Sequence, residues 1–123
     1  VKWLKNISQW ARAQLARVWP RPYRFKIAAG ALPKKLKRRV LYIVQEDGFD
    51  EQAAMICPCG CGEVLHMNLL PDERPCWTLT THDDRTVTLA PSVWRKKKCG
   101  SHFFLRRGRI QWCLPATDAR RAH

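Results

Sequence analysis

Cys57-Pro-Cys-Gly-Cys-Gly62 gathers half of the chain's six cysteines into five residues and threads them with proline and glycine. Alternating cysteines put several sulfurs on one short bend, and Gly60 and Gly62 allow the positive φ that lets those sulfurs converge. Convergent thiolates are what a tetrahedral Zn²⁺ requires. The plainer reading is a set of disulfides, which an even cysteine count would suit. Cysteines two apart in sequence bridge only with strain, however, and just Cys76, Cys99 and Cys113 remain as partners elsewhere. Metal binding is therefore the preferred reading, although the spacing is not the Cys-x-x-Cys of ordinary zinc fingers.

The 123 residues suit one domain with a modest core that a metal staple would reinforce. Lys and Arg number 23 against 10 Asp and Glu, a formal charge of +13 that points to an acidic partner such as nucleic acid or an anionic membrane surface. The distribution is uneven. Val1 to Gln45 holds twelve basic residues and no acidic one, whereas Glu46 to His123 holds eleven basic and ten acidic. The expected organisation is a basic helical arm and connector over 1–39, a zinc-binding β domain over 40–113 and a tail over 114–123. No secretory signal precedes the cysteines, so the expected location is the cytoplasm, and no apolar run is long enough to span a bilayer.

Trp3, Leu4, Ile7, Trp10, Ala11, Leu15 and Val18 fall on one helical stripe, which predicts a basic amphipathic helix ended by Pro20 and Pro22. Residues 20–39 read as a proline-rich, positively charged connector. Val40 to Val44 reads as a buried central strand, Glu46 to Gln52 as an acidic loop, and Glu63 to Leu70 as a strand leaving the cysteine bend. Trp77 to Thr81 and Thr86 to Leu89 alternate apolar and polar residues around a turn, predicting a β-hairpin. A second hairpin is expected at His102 to Leu105 and Arg109 to Trp112. Residues 90–100 between the hairpins read as a loop that returns Cys99 to the bend. The predicted fold class is mainly β, a small α+β protein of antiparallel hairpins around a cysteine-rich zinc knuckle, with the N-terminal helix attached.

Taken together, Cys57 to Gly62, Trp77, Val87-Thr-Leu-Ala-Pro-Ser-Val93, Cys99-Gly-Ser-His-Phe-Phe-Leu105 and Gly108-Arg-Ile-Gln-Trp112 resemble a family of small bacterial proteins. Its members are often encoded beside ubiquitin-like proteins and homologues of ubiquitin-activating and conjugating enzymes. The resemblance covers roughly residues 40–113. It implies a zinc-stabilised domain, a role in processing or removing a ubiquitin-like modifier, and that modifier and its conjugation machinery as partners. Many relatives carry a histidine two residues before the first cysteine, where this chain has Met55.

Cys57, Cys59, Cys61 and Cys99 form the expected metal shell. Four thiolates would close it and make the zinc structural. If His66 or His102 replaced one sulfur and one position stayed open, the metal could activate water instead, and Cys113 is an alternative fourth ligand. With a closed site, hydrolysis needs an organic nucleophile, and Ser92, Ser101 and His102 are the candidates. Neighbours on a strand point to opposite faces, so Ser92 with His102 is the better pair than Ser101 with His102. The plainer readings are a turn serine after Pro91 and a hydrogen-bonded or zinc-ligating histidine. The expected activity is a deubiquitinase-like, serine-type protease. The alternative is a non-catalytic zinc module that binds a modifier, a conjugation enzyme or nucleic acid. His82 reads as solvated, and Phe103, Phe104, Trp94 and Trp112 as core builders.

Overall fold

A computed structural model describes residues 21–113, and the predicted amphipathic helix and the tail lie outside them. Eight strands make up the elements: β1 (Arg24–Ala29), β2 (Val40–Glu46), β3 (Phe49–Ile56), β4 (Val64–Asn68), β5 (Thr78–Thr81), β6 (Val87–Trp94), β7 (His102–Arg106) and β8 (Arg109–Trp112). They form two four-stranded sheets, β1-β2-β3-β4 and β5-β6-β7-β8, and there is no helix among the described residues. The protein is thus mainly β, as the alternating patterns predicted.

The first sheet departs from the mainly antiparallel expectation at one edge. Residues 24–29, expected within a connector, pair in parallel with β2, from Arg24 beside Val40 to Ala29 beside Gln45. The pairing shows poorly in sequence because β1 is Arg-Phe-Lys-Ile-Ala-Ala, exposed along most of its length. A parallel pair needs a crossover, and residues 30–39 supply it. The expected central strand is β2, whose Leu41 to Val44 are all buried. The acidic loop is shorter than expected, a tight turn at Asp47-Gly48 with β3 already running from Phe49.

Both sheets line one core. Leu41, Ile43, Met55, Leu65 and Met67 come from the first, and Val87, Leu89, Val93, Phe103 and Leu105 from the second. Met55 is fully buried there. Each such side chain contributes about 1.5–3 kcal/mol on leaving water. Backbone bonds also stitch the sheets at one end: Tyr23 N–H donates to Gly108 O (2.7 Å) and Phe25 N–H to Arg85 O (2.9 Å), while Gly108 N–H donates to Val87 O (2.8 Å) within the second sheet. Gly108 is glycine for two reasons. Its φ is +78°, and a Cβ there would lie 2.7 Å from Tyr23 O.

The second sheet positions the candidate nucleophile. β6 continues to Trp94, so residues 90–94, expected as loop, are strand. Between Leu89 opposite Leu105 and Val93 opposite Phe103, β6 uses four steps where β7 uses two, which makes a bulge over Ala90, Pro91 and Ser92. Proline donates no ladder bond, and a bulge is one of the few places in a sheet that tolerates it. Two expected core aromatics are half exposed at the surface, Trp94 at 48 % and Trp112 at 54 %, while Phe103 is fully buried. His82 is also not simply solvated, since its Nε2 lies 2.8 Å from Thr88 Oγ1.

Candidate functional site

The cysteine bend sits between β3 and β4, closed by Cys57 N–H donating to Glu63 O at 2.8 Å. Gly60 and Gly62 have φ of +93° and +85°, the conformation that a Cys-Gly-Cys-Gly run supplies without steric cost. The second connection of the site, residues 95–101 between β6 and β7, brings Cys99 to the same place. The sulfurs of Cys57, Cys59, Cys61 and Cys99 all lie within 4.8 Å of one another. Cys57 Sγ is 3.4 Å from Cys59 Sγ and 3.7 Å from Cys99 Sγ, too far for a disulfide, and all six cysteines are free. A tetrahedron of Zn–S bonds of ~2.3 Å has sulfur–sulfur edges of ~3.8 Å, so the donor set and its spacing fit a metal ion. His66, exposed on β4, and Cys113, at the end of β8, are not in the cluster.

The thiols differ in proton affinity. Burial pushes Cys57 up to about 11, while a hydrogen bond from the Ser101 side chain brings Cys99 down to about 6 and lowers Cys59 too. Ser101 Oγ is 3.1 Å from Cys99 Sγ and 3.7 Å from Cys57 Sγ, and the residue is only 7 % exposed. Arg95 closes the other side of the cluster. Its guanidinium pairs with Glu63 (2.7 Å), which lowers that carboxyl's pKa and raises its own, and it donates to Cys61 Sγ (3.8 Å) and Cys99 Sγ (3.9 Å). An arginine beside four potential thiolates offsets part of their charge. Nothing in the sequence singled it out from the basic run Arg95 to Lys98.

The other candidates lie on the opposite face of the second sheet. On β7, Phe103 and Leu105 point into the core, so His102 and Phe104 point outward and Ser101 turns back toward the sulfurs. Trp94 is register partner of His102, and Ser92, two residues before it, shares that face. Ser92 Oγ lies 2.9 Å from His102 Nε2. Trp94 stacks on the imidazole, with ring centroids 4.7 Å apart and 11° between planes, and Lys96 Nζ lies 4.3 Å from the indole centroid. The Trp77 indole N–H donates to Ser92 O at 3.3 Å, tying the bulge to the chain just before β5. Among the described residues no carboxylate hydrogen-bonds to His102. The sequence pattern does not mark Trp94 or Trp77 as site residues. A period of two from Ser92 would have placed Trp94 beside it, but Pro91 argued for a loop.

These features define a two-sheet β protein with a sulfur cluster able to hold a metal ion and, on its outer face, a serine–histidine pair of the kind hydrolases use. The chain belongs to the BubE family, described as bacterial ubiquitination-like system serine proteases, whose family model matches residues 28–113, more than half of the chain. No curated protein and no solved structure matches it.

Proposed function

We propose that this chain is a serine-type hydrolase that cleaves the bond following the C-terminal tail of a bacterial ubiquitin-like protein, in processing the modifier or in removing it from a target. The observation that carries the reading is the 2.9 Å contact between Ser92 Oγ and His102 Nε2. With His102 in the tautomer protonated at Nδ1, Ser92 O–H donates to Nε2, the arrangement a weak hydroxyl nucleophile needs. Ser92 Oγ attacks the carbonyl carbon of the last tail residue while Nε2 takes the hydroxyl proton. The imidazolium then returns that proton to the leaving amine as the C–N bond breaks, leaving an ester on Ser92. Water, deprotonated by His102, hydrolyses the ester and frees the tail carboxylate.

Ordinarily a carboxylate orients the base. Here the Trp94 stack fixes the ring plane, and the indole face favours the ring most when it is positively charged. Of the two serines considered, Ser101 faces the sulfurs, so we assign the nucleophile to Ser92 and a supporting hydrogen bond at the cluster to Ser101. Cys57, Cys59, Cys61 and Cys99 would hold a zinc ion through four thiolates, and such an ion would tie the 57–63 bend to the 95–101 connection from which β7 and His102 emerge.

The test is cleavage of a ubiquitin-like protein, encoded beside the chain, joined to a C-terminal extension or to a lysine side chain. Ser92→Ala and His102→Ala should each abolish cleavage while retaining zinc by elemental analysis. Retained cleavage in Ser92→Ala, or immediate loss of turnover on mild chelation with the fold intact, would overturn the assignment. A wild type that binds the modifier without cutting any such fusion would favour the non-catalytic zinc module.

A further inference from the structure

A second feature is lined by none of the residues assigned above. Arg21, Arg24, Lys37, Arg38 and Arg39 converge on a cavity of about 580 Å³ between the start of β1 and the end of the crossover. The Arg95–Glu63 pair is the one ion pair among the described residues, so none of these five cations has a carboxylate partner there. Like charges gathered around one cavity repel, by about 1 kcal/mol for a pair at 4 Å even in water. Nothing described in the chain offsets that repulsion.

The cavity is nevertheless held in shape. Parallel pairing sets Arg24 beside Val40, Arg24 N–H donates to Arg39 O (3.4 Å), and Arg39 Nη1 donates to Arg21 O (3.4 Å). Arg39 adopts φ +61°, a left-handed conformation that glycine would take more cheaply. A side chain kept at such a position points to a use for it. The volume is that of a small-molecule site, and four of the five cations are arginines, whose planar forks match phosphate oxygens two at a time. A carboxylate-bearing peptide strand brings at most one charge per residue, about 3.3 Å of chain, whereas linked phosphates bring several into one cavity.

We propose that this cavity is an anion site for a ligand carrying two or more phosphate groups. The phosphates sit among the guanidinium groups of Arg24, Arg38 and Arg39, with Arg21 and Lys37 at the sides. Such a ligand has two sources, a compact polyphosphorylated molecule or the backbone of a single-stranded nucleic acid.

The experiment is calorimetric titration of the full chain with tripolyphosphate, with sulfate as reference, and fluorescence anisotropy with a labelled single-stranded oligonucleotide. Arg24→Gln/Arg38→Gln should weaken tripolyphosphate binding by about tenfold or more, as losing two charge-assisted contacts requires. Lys34→Gln/Lys35→Gln removes the same charge outside the cavity and should change binding by about twofold or less. Lys37→Gln/Arg38→Gln repeats the test without touching β1, and unchanged melting temperatures certify folding. Oligonucleotide binding with the same variant-selective loss identifies a nucleic-acid backbone as a source, and its absence identifies the compact polyphosphate. Equal losses in the cavity and control variants, or a wild type that binds tripolyphosphate no tighter than sulfate, would overturn the proposal.

Discussion

Replacing Trp94 by leucine keeps an apolar, strand-compatible side chain but removes the aromatic face 4.7 Å from the His102 ring. An aromatic stack is worth about 0.5–1.5 kcal/mol beyond its buried area. A cation–π contact at an exposed site adds about 0.5–1 kcal/mol once the imidazole becomes imidazolium. Only the part that strengthens in the transition state accelerates the reaction. A loss of about 1–2 kcal/mol corresponds to roughly 5- to 30-fold in kcat/KM. Trp94→Phe retains a ring and should lose about threefold or less. Trp94 is half exposed, so it could also touch substrate, and the assay has to separate the two effects. The phosphonylation rate of Ser92 by a small fluorophosphonate, in which Oγ bonds to phosphorus as fluoride leaves, reports the serine–histidine pair without any protein substrate. If Trp94 orients His102, Trp94→Leu slows phosphonylation and cleavage of the ubiquitin-like fusion by the same factor. Unchanged phosphonylation alongside slowed cleavage would refute the reasoning and make Trp94 a substrate contact.

Arg95→Gln removes the bonds to Cys61 and Cys99 and the pair with Glu63, and should weaken zinc binding by about 10- to 100-fold in a chelator competition, as loss of outer partners of metal ligands does. Because burial holds the metal-free Cys57 thiol up at about 11, an incoming ion displaces its proton throughout the neutral range. Zinc affinity should therefore rise with pH and fall on acidification, with proton release visible by calorimetry in buffers of different ionisation enthalpy. Gly108→Ala places a Cβ 2.7 Å from Tyr23 O at a φ of +78°, and should cost about 1–3 kcal/mol in thermal unfolding, loosening β1 without removing any ligand of the cysteine cluster.

Sequence alone determined the β class and the cysteine cluster, because both rest on local patterns. Alternation at 77–81 and 86–89 reports a half-buried strand wherever it occurs, and three cysteines in five residues converge through the bend that carries them. Cys99 was assignable because its loop had to return between two hairpins. Tertiary structure decided the rest. The charged segment 24–29 becomes a strand only because β2 offers it a parallel edge and Tyr23 an anchor in the core, neither visible in its own composition. Pro91 reads as a strand breaker, yet β6 absorbs it in a bulge opposite β7. That bulge, together with the pairing of Trp94 with His102, brings Ser92 to 2.9 Å from the imidazole while Ser101, one residue from the same histidine, faces the sulfurs. A strand's own sequence fixes which residues share a face, but which residue of another strand lies beside them is set by register, and register belongs to the sheet.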